Sequence, residues 1–177
     1  MTQTQEYLAN FIPQFVEELD RETERSRRAL QNVPDNMRAF KPHERSMEFG
    51  YLADMVATVP SWFALILKQD ELDVAPKTPT PRSGPQAQTS AEFVAALDKS
   101  VSDAKSALTA ADDAQLQEPW HLLAAGKVVS DTSRRIMLRD TMNHWVHHRG
   151  QMTVYLRLMG AEVPAIYGPS ADDKRYD

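Results

Sequence analysis

The chain has 177 residues, 42% of them apolar, carries a net charge of −5 and contains no cysteine. That length suits one domain, 1–177, with a real hydrophobic core, and the acidic balance excludes a basic surface for nucleic acid. The lack of cysteine removes disulfides, thiolate metal ligands and a protein thiol nucleophile together.

Residues 1–10 show no basic-then-apolar leader, and no apolar stretch approaches the ~20 residues needed to cross a bilayer, so the expectation is a cytoplasmic protein without membrane contact. A first helix is predicted over 4–32. Tyr7, Leu8, Phe11, Ile12, Phe15, Val16 and Leu19 recur at threes and fours, which makes one apolar stripe. Pro13 belongs in a first turn or marks a kink. The half over 17–28 mixes both signs one turn apart and reads as a solvated face, with Glu18, Glu22 and Thr23 placed to look along a bundle axis.

Ser46 is the predicted cap of a second helix with the seam Leu52, Met55, Val59, Trp62 and Ile66. Pro60 lies inside this helix and predicts a bend near Thr58. Asp54 is the only acid in its apolar middle. His43, just before the cap, reads as a surface or capping side chain.

Residues 68–89 hold Pro76, Pro79, Pro81 and Pro85 among Thr, Ser and Gln, an extended connection long enough to run the length of a bundle. It allows the third helix, starting at Ser90, to lie parallel to the second. Phe93, Val94, Leu97, Val101, Ala104 and Leu108 form the third helix's apolar stripe, with no chemistry on its outer face. Residues 119–129 read as irregular or short extended structure, in which His121 has no spacing partner. Ser130, Asp131 and Thr132 cap a long proline-free helix over 131–159, which Gly160 ends. The segment 163–170 should pack back onto the helices, and 171–177 should fray.

The chemistry concentrates in the last helix, in Asn143-His144-Trp145-Val146-His147-His148-Arg149-Gly150-Gln151. Residues four apart on a helix share a face, so His144 and His148 present two imidazoles one turn apart, the way a single helix offers two nitrogen ligands to a metal. They lie mid-seam in Met137, Thr141, His144, His148, Gln151, Tyr155 and Leu158. Beside it runs the apolar seam Leu138, Met142, Trp145, Met152, Leu156 and Met159, interrupted only by Arg149. Buried polar groups need partners, so the same pattern also describes a hydrogen-bonded pair of core histidines.

Taken with Pro42-His43, Ser46, Gly50-Tyr51-Leu52-Ala53, Pro60-Ser61-Trp62 and Ile166-Tyr167-Gly168-Pro169-Ser170, this run resembles the DinB/YfiT-like family of metalloenzymes over most of the chain. The resemblance implies an all-α four-helix bundle of up-down-down-up topology and a homodimer. It also implies a divalent metal, zinc or nickel, held by three histidines. His144 and His148 match the pair from the last helix, whereas the helix-two histidine falls at Met55. A thioether is a poor ligand for a borderline cation, and Asp54 restores a two-histidine, one-carboxylate set only if helix two turns by ~100°. Glu22, Gln151 or water are the other candidates.

Characterised relatives imply a thiol-dependent transferase or isomerase. The metal there activates a low-molecular-weight thiol against a small-molecule substrate; the expectation for this chain is that His144 and His148 are ligands, Asp54 or water completes the shell, Gln151 and His147 orient ligands or substrate, and Arg149 pairs with an acidic group. The contrasting expectation is a non-catalytic, dimeric, stress-related bundle in which Met55 packs against the histidines and no metal binds. A third is a carrier whose Met and aromatic positions line a cavity for a small apolar ligand.

Overall fold

The computed structural model describes residues 11–78 and 86–176. Tyr7 and Leu8 of the predicted first helix, and Pro79, Pro81 and Pro85 of the connection, lie outside the described residues. The elements run α1 (Phe11–Gln31), α2 (Phe49–Thr58), α3 (Ser61–Lys68), β1 (Glu71–Asp73), α4 (Ser90–Ala110), a short 3-10 turn (Gln115–Gln117), β2 (Pro119–Ala124), β3 (Lys127–Ser133) and α5 (Arg134–Leu158). The expectation of an all-α four-helix bundle therefore needs correction. The fold is mostly helical, but among the described residues it has five α-helices and a three-stranded sheet in the order β1-β2-β3.

The fifth helix arises because the predicted second helix breaks at Pro60 into α2 and α3, inclined at 58°. Proline has no N–H to offer the carbonyl four residues back, and its ring crowds that position. Two buried side chains from other helices take over the carbonyls of the last α2 turn. Trp145 of α5 donates its indole N–H to the Val56 carbonyl at 2.7 Å. Ser100 of α4 donates its hydroxyl to the Ala57 carbonyl at 2.6 Å. The break is thus built into the core, since Trp145 is wholly buried and Ser100 is 3% exposed.

The sheet occupies the span expected to be irregular. β2 and β3 form an antiparallel hairpin closed by Ala124 opposite Lys127. Its two turn residues, Ala125 and Gly126, have φ of 52° and 78°, the left-handed conformations that let a two-residue turn follow the twist of its strands. β1 joins parallel to β2, with Leu72 beside Leu122. Because Ser130, Asp131 and Thr132 sit in β3, the cap of α5 is Ser133, which accepts from the Ile136 amide. Similarly, α4 is capped by Thr89 in a reciprocal box with Glu92, and α2 begins at Phe49 without a side-chain cap from Ser46.

Arg134, 4% exposed, ties sheet to helices. Its guanidinium donates to the Ile66 carbonyl and to the Gln69 carbonyl at 2.6 Å, and pairs with Asp70 at 2.5 Å. It satisfies the C-terminal end of α3 where a cation suits the helix dipole. The tail packs back as expected, with Ala165 buried. The part expected to fray is also anchored: Asp172 accepts from the Val163 amide and pairs with Arg157, and Asp173 accepts from the Ala165 amide. No single described helix is long and apolar enough to cross a membrane.

Candidate metal centre and adjoining cavity

His144 and His148 leave α5 one turn apart, and their Nε2 atoms approach to 3.1 Å with the rings edge to face. An amide oxygen only accepts, so in the 2.8 Å contact from His148 Nδ1 to Gln151 Oε1 the Nδ1–H donates, and in the neutral ring that puts the lone pair on Nε2. The His144 ring stacks on Trp62 of α3, centroids 5.5 Å apart and planes 20° apart, which fixes its orientation. Burial, and then the neighbouring His148 and His147 imidazoles, hold the His144 pKa below its ordinary value of 6.5. The ring is therefore neutral near pH 7 and keeps a lone pair for a proton or a metal.

Which His144 nitrogen holds the proton then decides the chemistry. With Nε2 protonated, His144 donates to His148 and the pair closes as a hydrogen bond. With Nδ1 protonated, two lone pairs face one space. A zinc–nitrogen bond is ~2.0–2.1 Å, so two nitrogens 3.1 Å apart are close enough to share one ion. The Gln151 contact is of the kind that, in metal sites, orients a ligating imidazole. His147 is exposed, with its ring centroid 5.4 Å from that of His148.

The rest of the expected donor set is engaged elsewhere. Asp54 makes a two-point pair with Arg38, Oδ2 at 2.8 Å from Nη2 and Oδ1 at 3.3 Å from Nη1. The Arg38 side chain also reaches the Ala87 carbonyl and lies so close over Gly50 that a Cβ there would meet it at 2.8 Å. Glu22 belongs to a separate buried cluster with Arg149, Arg25 and Tyr167. Its carboxylate is 2.5 Å from Arg149 and 2.7 Å from Arg25, and it accepts from the Tyr167 hydroxyl at 2.8 Å. Burial pushes the Glu22 pKa up, but Arg149, Tyr167 and Arg25 together outweigh it and hold the group below its ordinary 4.5. Arg149 does pair with an acid, as expected, and the cluster clamps the tail to α1 and α5. Met55 is a core residue, 9% exposed. Among the described residues no group of three His, Asp or Glu side chains gathers. The residues present fit a two-nitrogen site and not a three-ligand one.

His144 also forms part of the wall of a cavity of about 390 Å³ between α3, α5 and the sheet. α3 contributes Trp62, Leu65 and Ile66, and α5 contributes Met137, Asp140, Thr141 and His144. From the sheet come Leu72, Trp120, Leu122 and Ser130, with Val74 just beyond β1. Leu72, Leu122 and Ser130 are register partners across three strands, so alternation brings them to one face. The volume lies within the roughly 300–1,000 Å³ of small-molecule sites. Met137 and Thr141 were visible on the His144 seam. Trp120 and Leu122 were not, although their i, i+2 spacing before a glycine-containing turn is a strand signal.

A model described as the DinB family matches residues 1–176. A curated relative, the uncharacterized protein YrdA of Bacillus subtilis (strain 168), is 37% identical over 87 residues, 48% of this chain and 49% of that protein. The chain thus matches about half the length of that relative. Two crystal structures have a similar fold. A DinB-like protein from Bacillus cereus ATCC 10987 superposes with a TM-score of 0.63 at 21% identity, covering 86% of this chain and 95% of that one. A DinB-like protein, YjoA, from Bacillus subtilis gives 0.64 at 19% identity, covering 86% and 97%.

Proposed function

The chain belongs to the DinB family, and on that premise we propose that it binds a divalent metal, zinc or nickel, through His144 and His148, as part of a thiol-dependent transfer on a small molecule held in the adjoining cavity. The observation that carries this reading is the facing Nε2 pair, with Gln151 holding the outer nitrogen of His148. When bound, such a metal lowers the pKa of a coordinated thiol, and the thiol must come from a low-molecular-weight cosubstrate because the chain has no cysteine.

The chain's own residues do the positioning. Gln151 selects the His148 tautomer that leaves Nε2 bare, and Trp62 sets the plane of the His144 ring. The cavity wall gives a group lodged beside His144 an apolar surface on the side of α3, β1 and β2. Two protein ligands leave coordination positions for water, the cosubstrate and the substrate. A homodimer is part of the same reading.

One observation favours the non-catalytic alternative: Gln151, His148 and His144 already form a satisfied hydrogen-bond chain without an ion. Titrating the purified, chelator-treated protein with zinc and nickel separates the two. The metal reading expects one equivalent taken up in the micromolar range and lost in His148→Ala. No uptake by the wild type, or uptake unchanged in His148→Ala, rejects it in favour of the closed pair.

A further inference from the structure

We infer that the cavity between α3, α5 and the sheet binds a small organic cation, its apolar, ring-sized body against Trp62, Trp120 and Leu122 and its positive end at Asp140. The inference rests on the placement of the site proposed above, because His144 belongs both to the histidine pair and to the cavity wall. It requires no bound metal.

Three observations support it. The lining is apolar on the side of α3, β1 and β2, and aromatic faces there attract cations as well as rings. The polar side chains of the lining sit on one side, on α5 and at its β3 neighbour: Asp140, Thr141, His144 and Ser130. Among the described residues, Asp140 and His144 are the only ionisable groups in the lining. The Asp140 carboxylate has no hydrogen-bond or ion-pair partner among those residues, unlike Asp54, Asp70, Asp98 and Asp172, each of which pairs with an arginine.

Thr141 supplies a further polar group on the same side. It is 4% exposed, and its hydroxyl has no hydrogen-bond partner among the described residues, where helical threonines such as Thr23 and Thr58 donate back to their own helix. The hydroxyl oxygen is not among the fully buried polar atoms that lack a partner, so it opens to the cavity, where a ligand with a donor end beside Asp140 can bond to it. An anionic ligand would instead meet the unpaired carboxylate of Asp140.

Phenethylammonium, 2-phenylethanol and phenylacetate share one body and differ in the charge of the end group, so they read the cavity's preference directly. They are titrated into the full chain in chelator, and the indole N–H resonances of Trp62, Trp120 and Trp145 are followed. Trp145 is not in the cavity lining and serves as the internal control. The expected result is that Trp62 and Trp120 shift and that affinity falls in the order cation, neutral, anion. The cation should bind up to about fivefold tighter than the alcohol, the upper range for one exposed charge contact. Asp140→Asn should remove most of that preference, while Met137→Trp should block all three by filling the cavity. Equal binding of the three probes, a preference that survives Asp140→Asn, or no shift of Trp62 and Trp120 at millimolar probe overturns the inference. If the metal titration fails while the cation preference holds, the metal reading falls alone. If metal binds and the probes do not discriminate, only the cavity inference falls.

Discussion

At the scale of single residues, the site is as legible as its contacts are local. His144, His148 and Gln151 are related by one helical turn, so their spacing alone brings two imidazoles together and a carbonyl oxygen behind one of them. Asp54 shows the opposite case. Its neighbour in sequence is the apolar seam, but its partner, Arg38, arrives from 16 residues away through a loop, and no periodicity could report that. Met55 gives the sharpest residue-level test. If α2 presents that position to the histidine pair, Met55→His adds a third imidazole and should raise zinc affinity more than about tenfold, since even outer-shell changes move metal affinity by ~10–100-fold. Calorimetric titration of Met55→His beside wild type checks it. No gain would mean that Met55 does not face the pair.

At the scale of elements, the informative feature is how the Pro60 break is tolerated. A proline inside a predicted helix announces a bend, yet what receives the orphaned carbonyls is decided by α4 and α5. Trp145→Phe keeps most of the buried volume but leaves the Val56 carbonyl buried without its donor. The expected loss is about 1–3 kcal/mol in urea unfolding, the usual cost of an unsatisfied buried polar group. Ser100→Ala should act in the same direction through the Ala57 carbonyl. A change within ~0.5 kcal/mol for Trp145→Phe would place it with ordinary surface substitutions and remove the indole from this role. The hairpin is the converse: Ala125 and Gly126 signal a turn locally, but β1, only three residues long, becomes a strand by pairing with a segment some fifty positions on.

For the whole molecule, the half-buried His144 and the buried Glu22 both contribute to the pH response in the same direction. His144 has its pKa lowered in the folded chain, so between that value and the ordinary 6.5 the unfolded chain binds more protons. Stability from this group is complete above about 6.5 and is lost as the pH falls through the folded value. Glu22 is also lowered, from 4.5, and its contribution disappears further down, as acid protonates the carboxylate that joins α1, α5 and the tail. Urea midpoints measured against pH should therefore decline in two stages on acidification. His144→Gln should flatten the first stage without touching the second. A wild-type midpoint that is level from neutral pH down to the carboxylate range would contradict the His144 assignment.

The sequence by itself determined the helical character of the chain, the apolar stripes of α1, α4 and α5, the bend at Pro60 and the histidine pair, because each depends on neighbours within a turn or two of one helix. The same locality exposed Arg149 as the one charge in an apolar seam, without saying which acid it meets. Tertiary structure alone decided that the acid is Glu22, that Asp54 serves Arg38, and that three short segments distant in sequence align as a sheet. That sheet closes a cavity beside His144. Pairing between strands and the filling of space between layers depend on contacts across tens of residues, and no local pattern in the chain encodes where those partners meet.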